Sequence, residues 1–166
     1  PSLPWLEQAL RSLLNQTNPS WQLVMSLDGD DPETSAAAEL AQRFFRTHPQ
    51  QQLIVVRGAR SGISDALNRG LAHCNTPFTA RLDADDLCLP ERFASQAAAL
   101  ESNPNLIAIG MQIQGIDHNG QPVLARLHRY PSTPKDTLLM GALVNTPIAH
   151  PVLMMRSEAV QALGGY

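Results

Sequence analysis

The sequence predicts an α/β domain with a mainly parallel, Rossmann-like open sheet that is covered by helices. Short apolar segments alternate with segments of helical pattern, as a parallel sheet with helices on both faces requires. Acidic turns follow two of the apolar segments, and a polar turn between two alternating segments adds a β-hairpin. With 166 residues and no internal linker or repeat, the chain is expected to form a single domain over residues 1–166.

Composition excludes several classes of protein. Hydrophobic residues make up 43% of the chain and charged residues 16%, which is ordinary for a globular domain. The net charge of -3 gives no electrostatic reason to expect a nucleic acid or an anionic membrane as partner. No apolar run approaches the ~20 residues of a membrane span, and no signal-peptide pattern is present. Cys74 and Cys88 match no metal-ligand spacing and are expected to be small buried hydrophobes.

The first half of the chain predicts a helix, a strand, a second helix and a second strand. "LEQALRSLLNQ" has the apolar stripe of a helix, which Ser2 can cap and whose first turn suits Pro4. The apolar run from Trp21 to Leu27 predicts the first strand. "PETSAAAELAQRFFRTH" carries acids early and bases late, as helices prefer, and "QQLIVVR" predicts the second strand.

The second half continues the alternation and adds the hairpin. "SGISDALNRGLAHC" predicts a helix with four apolar residues on one face: Ile63, Ala66, Leu67 and Leu71. "PFTARLD" predicts a third strand, and "PERFASQAAALESN" a helix with Pro90 in its first turn. The hairpin joins "NLIAIGMQIQGID" to "QPVLARLHRY" through "HNG". A helix near 135–143, an apolar strand near 152–155 and a closing helix to Leu163 complete the pattern.

Two groups of aspartates follow predicted strands: Asp28, Asp30 and Asp31 after the first, and Asp83, Asp85 and Asp86 after the third. The carboxyl ends of the strands form the ligand-binding edge of open α/β sheets. Clustered carboxylates repel one another unless a cation compensates them, and Mg²⁺ or Mn²⁺ commonly binds through one or two carboxylates plus substrate phosphates. The sequence therefore indicates either a divalent-metal and diphosphate site or a solvated acidic loop that caps the helix near Pro90.

The stretch "RSGISDALNRGLAHCNTPFTARLDADDLCLPERF" closely resembles the central block of family 2 glycosyltransferases, which have the GT-A (nucleotide-diphospho-sugar transferase) fold. "LEQALRSLLNQT" and "NTPIAHPVLMMRSEAVQALGGY" are similar to the same family, so the resemblance covers nearly the whole chain. It implies a metal-dependent, inverting transfer of a sugar from a nucleotide-diphosphate sugar, with uridine as the favoured nucleoside, to an acceptor hydroxyl. The implied cofactor is Mn²⁺ or Mg²⁺ at the Asp-x-Asp (DXD) motif.

The resemblance also implies roles for the aspartates. Asp85 corresponds to the carboxylate that ligates the metal on the donor diphosphate. Asp83 corresponds to the carboxylate that contacts the ribose, or the metal through water, and Asp86 to a supporting acid. Asp28 falls where the family has an acidic pair that contacts the nucleobase. Leu27 stands at the first position of that pair, a departure that bears on base recognition.

Four further residues are candidates for the site, and three of them, Arg81, Asn68 and His150, also have a structural interpretation. Arg60 and Arg81 are expected near the nucleotide, with charge balance for the neighbouring aspartate as the alternative role of Arg81. Asn68 corresponds to the point where the family's helix turns toward the sugar site, or is a polar residue on a helix surface. His150 corresponds to a position near the donor phosphates or the acceptor and is a further candidate metal ligand. Its alternative is a structural histidine.

Two features of the family are missing from this sequence. Family members begin with an apolar strand that forms part of the nucleobase pocket. The inverting members also carry a catalytic carboxylate shortly after the Gly-Gly-Tyr segment, which here ends at Tyr166. The resemblance therefore implies a fragment truncated at both ends, with the general base beyond Tyr166 and little or no transfer activity by residues 1–166 alone.

The resemblance further implies a nucleotide-sugar donor and a glycan or lipid-linked sugar acceptor as partners, in cell-surface polysaccharide biosynthesis. It implies a cytoplasmic location, alone or in association with the inner face of the membrane. A non-catalytic module that binds nucleotide sugar or glycan is the alternative function. A calcium-type acidic loop does not fit, because "DADDLCLPERF" lacks the sixth-position glycine and is not followed by the glutamate that such a loop needs.

Overall fold

The structure is a computed structural model that describes residues 2–144 and 147–166, with the backbone alone at 124–128 and 144. It confirms the α/β class, since helices alternate with short strands through most of the described chain. The first two residues of the "NTPIAH" segment, Asn145 and Thr146, lie outside the described residues. None of the helices in these ranges combines the length and the apolar character that crossing a membrane requires.

The helices and strands have the following bounds. The α-helices are α1 (Leu3–Leu14), α2 (Pro32–Arg46), α3 (Ile63–Leu71), α4 (Arg92–Ser102), α5 (Pro134–Val144) and α6 (Ser157–Ala162). The strands are β1 (Gln22–Asp28), β2 (Gln52–Gly58), β3 (Phe78–Ala80), β4 (Ala108–Ile109), β5 (Ile113–Ile116), β6 (Pro122–His128) and β7 (Met154–Arg156). A short 3₁₀ helix, His150–Val152, precedes β7.

The strands pair in three ladders within the described ranges. β1 and β2 run parallel, from Gln22 opposite Gln52 to Asp28 opposite Gly58. β7 pairs antiparallel with β3 on one side and with β4 on the other, and β5 and β6 form the predicted hairpin. The direction of β7 cannot be read from its apolar pattern, because side chains alternate in the same way in parallel and antiparallel strands.

Helices α1 and α2 cover one face of the parallel pair. Their shared core consists of buried apolar side chains: Leu6, Leu10, Ala37, Ala41 and Phe45. Leu23 and Met25 of β1 point to the same side, because side chains alternate along a strand, and they pack against this core. Trp21 contacts the Phe45 ring edge-on, with ring centroids 6.2 Å apart. The apolar stripes of the sequence therefore meet in a single layer between helices and sheet.

Helix α3 covers the opposite face of β1. The Ser26 hydroxyl donates a 2.6 Å hydrogen bond to the Ala66 carbonyl, and Ala66 and Leu71 are buried. Ile63, which the sequence predicts on the same apolar face, is instead 62% exposed. It is the first residue of α3 and follows an exposed loop at 59–62, and none of the elements that the structure describes covers it there.

Helix α4 begins at Arg92, and Pro90 precedes it rather than lying in its first turn. The loop after α1 engages the carbonyl groups of this segment. The Gln16 side chain donates to the Leu89 carbonyl at 2.7 Å, and the Thr17 N–H donates to the Pro90 carbonyl at 3.0 Å. These bonds tie the chain after the acidic turn to α1, and the helix starts only beyond them.

A buried polar network joins α4 to the strands beside it. Arg92 is 5% exposed and donates from Nη2 to the Arg81 carbonyl (2.6 Å) and from Nε to the Gln96 side chain (3.0 Å). Gln96 is fully buried and donates to the Ile109 and Val152 carbonyls at 3.1 and 2.8 Å. Burial lowers the pKa of the Arg92 guanidinium. The network fixes the backbone just after β3, where the acidic turn begins.

Candidate functional site

A cavity of about 570 Å³ lies between β1 and the segment that contains the end of β3. Its lining includes consecutive residues of both, 23–28 and 79–84. Successive side chains of a strand point to opposite faces, so a cavity that touches every residue runs along the strand edge. Apolar side chains of α1 and α3 close the cavity on its two sides: Leu6, Ala9, Leu10, Leu13, Ala66, Leu67 and Leu71. The cavity is therefore a slot between the β1–β2 ladder and the ladder that contains β3.

Charged side chains also line this slot: Asp28, Asp31, Glu33, Arg60, Arg81 and Asp83. The sequence predicts four of these six as site residues, and the fold brings them to one cavity, as acids at the carboxyl ends of two strands suggest. The remaining predicted residues do not line the slot. Asp85 and Asp86 lie in the adjoining turn, and Asn68 and His150 both contact Tyr166, which does line it.

Asp28 ends β1 and holds the loop that leads into α3. Its carboxylate accepts hydrogen bonds from the backbone N–H groups of Ser61 (2.9 Å) and Gly62 (3.1 Å) and from the Arg69 guanidinium (3.1 Å). The Ser61 bond is the main cause that lowers the pKa of Asp28, and Arg69 adds to it against the opposing effect of burial. Gly62 has φ +100°, which favours glycine. Asp28 thus shapes the loop beside the slot.

Replacing Asp28 with asparagine is expected to lower the thermal midpoint near neutral pH, because the ion pair with Arg69 is lost. A carboxyl group whose pKa is lowered by folding adds stability above its unfolded value, here 3.8, and loses it as the pH falls through the folded value. The difference from wild type should therefore shrink at pH values below 3.8. Thermal unfolding followed by circular dichroism measures it, with the exposed Asp30→Asn as control. A difference that does not change with pH would contradict this account.

Asp31 and Arg60 form an ion pair on the lining of the slot. Asp31 also caps α2, since its carboxylate accepts the Thr34 N–H at 2.9 Å, and this bond is the main cause that lowers its pKa. An aspartate directly before Pro32 is the sequence signal for such a cap. The Arg60 side chain is 72% exposed, so its guanidinium remains accessible to a ligand.

Arg81 is the buried cation of the site, with 7% of its surface exposed. Its Nη2 contacts Asp83 Oδ1 at 2.7 Å, which is the charge-balancing contact considered from the sequence. Its Nε is buried and has no hydrogen-bond partner in the described part of the chain. A buried donor without an acceptor costs about 1–3 kcal/mol. An acceptor from a bound ligand, such as a phosphate oxygen, would remove this cost.

The acidic turn after β3 presents its three carboxylates differently. Asp83 is paired with Arg81, whereas Asp85 is exposed and takes part in none of the ion pairs among the described residues. Asp86 is half-buried, and its pKa is raised first by burial and then by the charges of Asp83 and Asp85. The repulsion expected from the sequence therefore persists in the folded turn, where a cation near Asp83 and Asp85 would reduce it.

These residues fit a divalent cation in one binding mode. In residues 2–144 and 147–166, no group of three or more histidine, cysteine, aspartate or glutamate side chains could hold a metal ion by itself. Mg²⁺ and similar ions do not need such a cage when substrate phosphates and water supply the other oxygens. The carboxylates of Asp83 and Asp85 suit this mode. His150 would add a nitrogen donor, which these cations favour less than oxygen.

His150 and Tyr166 form an aromatic contact, with ring centroids 5.2 Å apart. Burial lowers the pKa of His150, and Arg81 lowers it further while Asp83 opposes both. Burial also raises the pKa of Tyr166, which lines the slot. Tyr166 is absent from the site residues that the sequence predicts. Its only signal is the pair Gly164–Gly165 before it, which is typical of a tight turn.

Known proteins with similar sequences are glycosyltransferases. The model of the family described as glycosyl transferase family 2 matches residues 2–164. The amylovoran biosynthesis glycosyltransferase AmsE of Erwinia amylovora is 34% identical over 97% of this chain. The putative glycosyltransferase EpsE of Bacillus subtilis and the O-antigen biosynthesis glycosyltransferase WbnJ of Escherichia coli are each 26% identical, over 97% and 98% of it. The chain spans 58%, 55% and 60% of the lengths of these three relatives.

Two solved structures are similar in fold. The mannosyltransferase PcManGT from Pyrobaculum calidifontis, in complex with GDP-Man and Mn²⁺, has a TM-score of 0.69 and 20% identity over 99% of this chain and 44% of that chain. S. aureus TarS has a TM-score of 0.60 and 19% identity over 95% of this chain and 27% of its own. At these identities the likeness establishes the fold alone, which is the expected GT-A fold. Because the family model matches residues 2–164, the chain belongs to glycosyl transferase family 2.

Proposed function

We propose that this chain is the donor-binding part of an enzyme that transfers a sugar from a nucleotide-diphosphate sugar to an acceptor hydroxyl, with inversion at the anomeric carbon. The observation that carries the proposal is the position of Arg81, with its buried and unpartnered Nε among the described residues, beside the carboxylates of the acidic turn. A diphosphate with a divalent cation supplies acceptor oxygens for the Arg81 Nε and positive charge for the carboxylates. Family membership supports the same class of reaction.

Each charged residue near the turn has a proposed role in binding the donor. Arg81 donates from Nε to a diphosphate oxygen, and the exposed Arg60 donates from its guanidinium. Asp83 and Asp85 hold Mn²⁺ or Mg²⁺, with Asp86 as a supporting acid. When bound, such a cation neutralises the negative charge that develops on the departing diphosphate.

The nucleoside end of the donor is assigned to the loop that Asp28 holds at Ser61 and Gly62. Uridine is the first choice of nucleoside, because the sequence resemblance favours it. Guanosine is the alternative, since the mannosyltransferase of similar fold is in complex with GDP-Man. The shape of the loop rests on the carboxylate of Asp28, so this residue acts on base recognition at least through the backbone.

The proposed reaction forms one bond and breaks one bond at the anomeric carbon. The acceptor oxygen bonds to that carbon while the bond from the carbon to the diphosphate oxygen breaks, and the bonding electrons leave with the nucleoside diphosphate. The acceptor proton passes to a general base, a role that we assign to none of the residues named above. Hydrogen-bond donors held in place around the leaving group stabilise its charge without reorganising during the reaction.

We also propose that a further apolar strand fills the apolar part of the slot, beside residues 23–27 of β1, in the complete enzyme. The charged end of the slot, at Asp28, Arg81 and Asp83, is left to the donor. The slot follows the edge of β1 that faces away from β2, and it lies between α1 and α3. A strand that is covered on both faces is apolar at nearly every position, which matches the apolar walls of the slot. The sequence resemblance implies such a strand ahead of α1.

Hydrogen exchange tests the strand proposal. Backbone N–H groups of a strand alternate between its two edges, so about half of those in β1 point toward the slot. In the 166-residue chain these groups should exchange faster than the β1 groups that bond to β2. In the complete gene product both sets should be protected. Equally fast exchange of the slot-facing groups in both proteins would contradict the proposal.

For the acceptor we propose a glycan or a lipid-linked sugar, in the synthesis of a cell-surface polysaccharide. The support is that two relatives are named for amylovoran and O-antigen biosynthesis. A transfer assay on the complete gene product with such acceptors separates this enzyme from a module that binds the donor without turnover.

Calorimetric titration of the 166-residue chain with UDP and with GDP, each with and without Mn²⁺, tests the donor site. We expect binding that requires Mn²⁺ and that is tighter for UDP. Tighter binding of GDP would mean that the nucleoside is guanosine and not uridine, and it would still support the proposed diphosphate site. Nucleotide affinity that does not depend on Mn²⁺, or no binding of either nucleotide, would contradict the proposed function.

A further inference from the structure

The Asn68 side chain pairs with both backbone groups of Tyr166. Its Nδ2 donates to the Tyr166 carbonyl oxygen (3.2 Å), and its Oδ1 accepts the Tyr166 N–H (2.8 Å). The two residues are 98 positions apart in the chain. An asparagine amide carries donor and acceptor groups side by side, so it can satisfy a backbone N–H and C=O together, as a neighbouring strand does. Asn68 therefore links α3 to the turn after α6.

The turn after α6 has a conformation that suits this contact. Gly164 and Gly165 have φ angles of +89° and +94°, in the left-handed region where other residues are strained. The Gly165 N–H donates to the Val160 carbonyl at 3.0 Å, which closes the end of the helix. A side chain at Gly165 would collide with Oδ1 of Asn68. Glycine is thus needed both for the turn and for the close approach of Asn68.

The turn determines where the Tyr166 ring lies. The ring lines the slot, as Arg81 and Asp83 do, and it contacts the His150 ring. Tyr166 is half-buried. If its backbone were free, a side chain of this size would populate several rotamers, and a ligand would have to select one of them.

We propose that Asn68 is a positioning residue of the donor site, which holds the Gly164–Tyr166 turn so that the Tyr166 ring forms a fixed wall of the slot. Asn68 acts through the backbone of Tyr166 and not by touching the ligand. This role differs from a direct contact with the donor sugar and from that of an unengaged residue on a helix surface. Its consequence for ligand binding rests on the proposed function, whereas its effect on the turn does not.

The His150 ring reports the position of Tyr166 in NMR spectra. The adjacent aromatic ring shifts the His150 ring signals away from those of exposed histidines, and His150→Gln identifies them. In Asn68→Ala these signals should move to the positions found in Tyr166→Leu, while the other aromatic signals stay in place. Asn68→Asp keeps the acceptor for the Tyr166 N–H and should recover part of the native shift. Asn75→Ala removes the same side chain from an exposed position and should change nothing.

A double-mutant cycle with Gly165→Ala tests the contact from its other side. Gly165→Ala breaks the same contact and also strains the turn, so adding Asn68→Ala to it should move the His150 signals no further than Gly165→Ala does alone. Displacements that add up would overturn the proposal, as would native His150 signals in Asn68→Ala. If Asn68→Ala does not fold, the His150 signals of Asn68→Asp are compared with those of wild type and of Tyr166→Leu instead. Native signals in Asn68→Asp would then overturn the proposal.

Affinity for UDP in the presence of Mn²⁺ should fall about three- to tenfold in Asn68→Ala, because the ligand must then order the turn and the ring. Asn75→Ala should bind as tightly as wild type. Displaced His150 signals with unchanged affinity would overturn the positioning role of Asn68 in the donor site. If the wild-type chain binds neither UDP nor GDP, the proposed function fails, and the His150 signals still decide whether Asn68 holds the turn.

Discussion

Replacing Asp85 with asparagine is expected to weaken Mn²⁺-dependent binding of UDP by roughly 30- to 100-fold, which corresponds to about 2–3 kcal/mol. Asp85 is exposed, and the ion pairs of the described residues leave its carboxylate without a cation. It is therefore available to ligate a metal that a diphosphate also holds. Asparagine keeps the shape of the side chain and removes its negative charge, so the loss measures the electrostatic contact.

Calorimetry with and without Mn²⁺ measures this effect, and Glu101→Gln is the matched control. That substitution also removes one negative charge, from an exposed position at the end of α4 that does not line the slot. It should leave the affinity for UDP unchanged. The thermal midpoint of Asp85→Asn should stay near the wild-type value, because an exposed side chain without a partner contributes little to folding. Unchanged Mn²⁺-dependent affinity in Asp85→Asn would remove Asp85 from the proposed metal site.

Replacing Arg92 with methionine is expected to lower the free energy of unfolding by about 3 kcal/mol. Methionine has a similar length and no donors. The substitution leaves the Arg81 carbonyl and the Gln96 side-chain oxygen without the hydrogen bonds that Arg92 donates at 2.6 and 3.0 Å. Each buried acceptor that loses its partner costs about 1–3 kcal/mol. The removal of a buried positive charge offsets part of this loss, since desolvating that charge is itself unfavourable.

Denaturation by urea measures the change in the free energy of unfolding, with Arg43→Met as the control. Arg43 is exposed on α2, and its replacement should stay within about 0.5 kcal/mol of wild type. A loss below about 1 kcal/mol for Arg92→Met would mean that the network contributes little to stability. Arg92 also holds the backbone of Arg81, so the affinity of folded Arg92→Met for UDP should fall as well.

The order of elements was predictable because it depends on local pattern. The apolar stripes of "LEQALRSLLNQ" and "PETSAAAELAQRFFRTH" predict helices, and α1 and α2 pack through these stripes. The presence of Asp28 and Asp83 on one slot was predictable for a related reason. Acids that follow the strands of an open α/β fold gather at the carboxyl ends of those strands, and here they do so although β1 and β3 lie in separate ladders.

Contacts between distant polar side chains were not predictable in this way. Asn68 bonds to the backbone of Tyr166, Arg69 bonds to Asp28, and Arg92 bonds to the Arg81 carbonyl. Each bond needs two groups within about 3 Å of each other, and no periodicity or motif encodes that distance across the chain. The antiparallel direction of β7 belongs to the same class, since it depends on where the chain returns to the sheet.

Pattern along the chain was enough to establish the α/β class, the hairpin and the candidate carboxylates, because periodicity and turn residues act over a few neighbours. The folded arrangement was needed to distinguish among those carboxylates. Asp28 pairs with Arg69 of α3, and Asp83 pairs with Arg81 in the same loop, whereas Asp85 is exposed. The Arg81–Asp83 pair joins neighbours in one loop and was an alternative already visible in the sequence, whereas the Arg69–Asp28 pair depends on a distance that arises only when separate segments pack together.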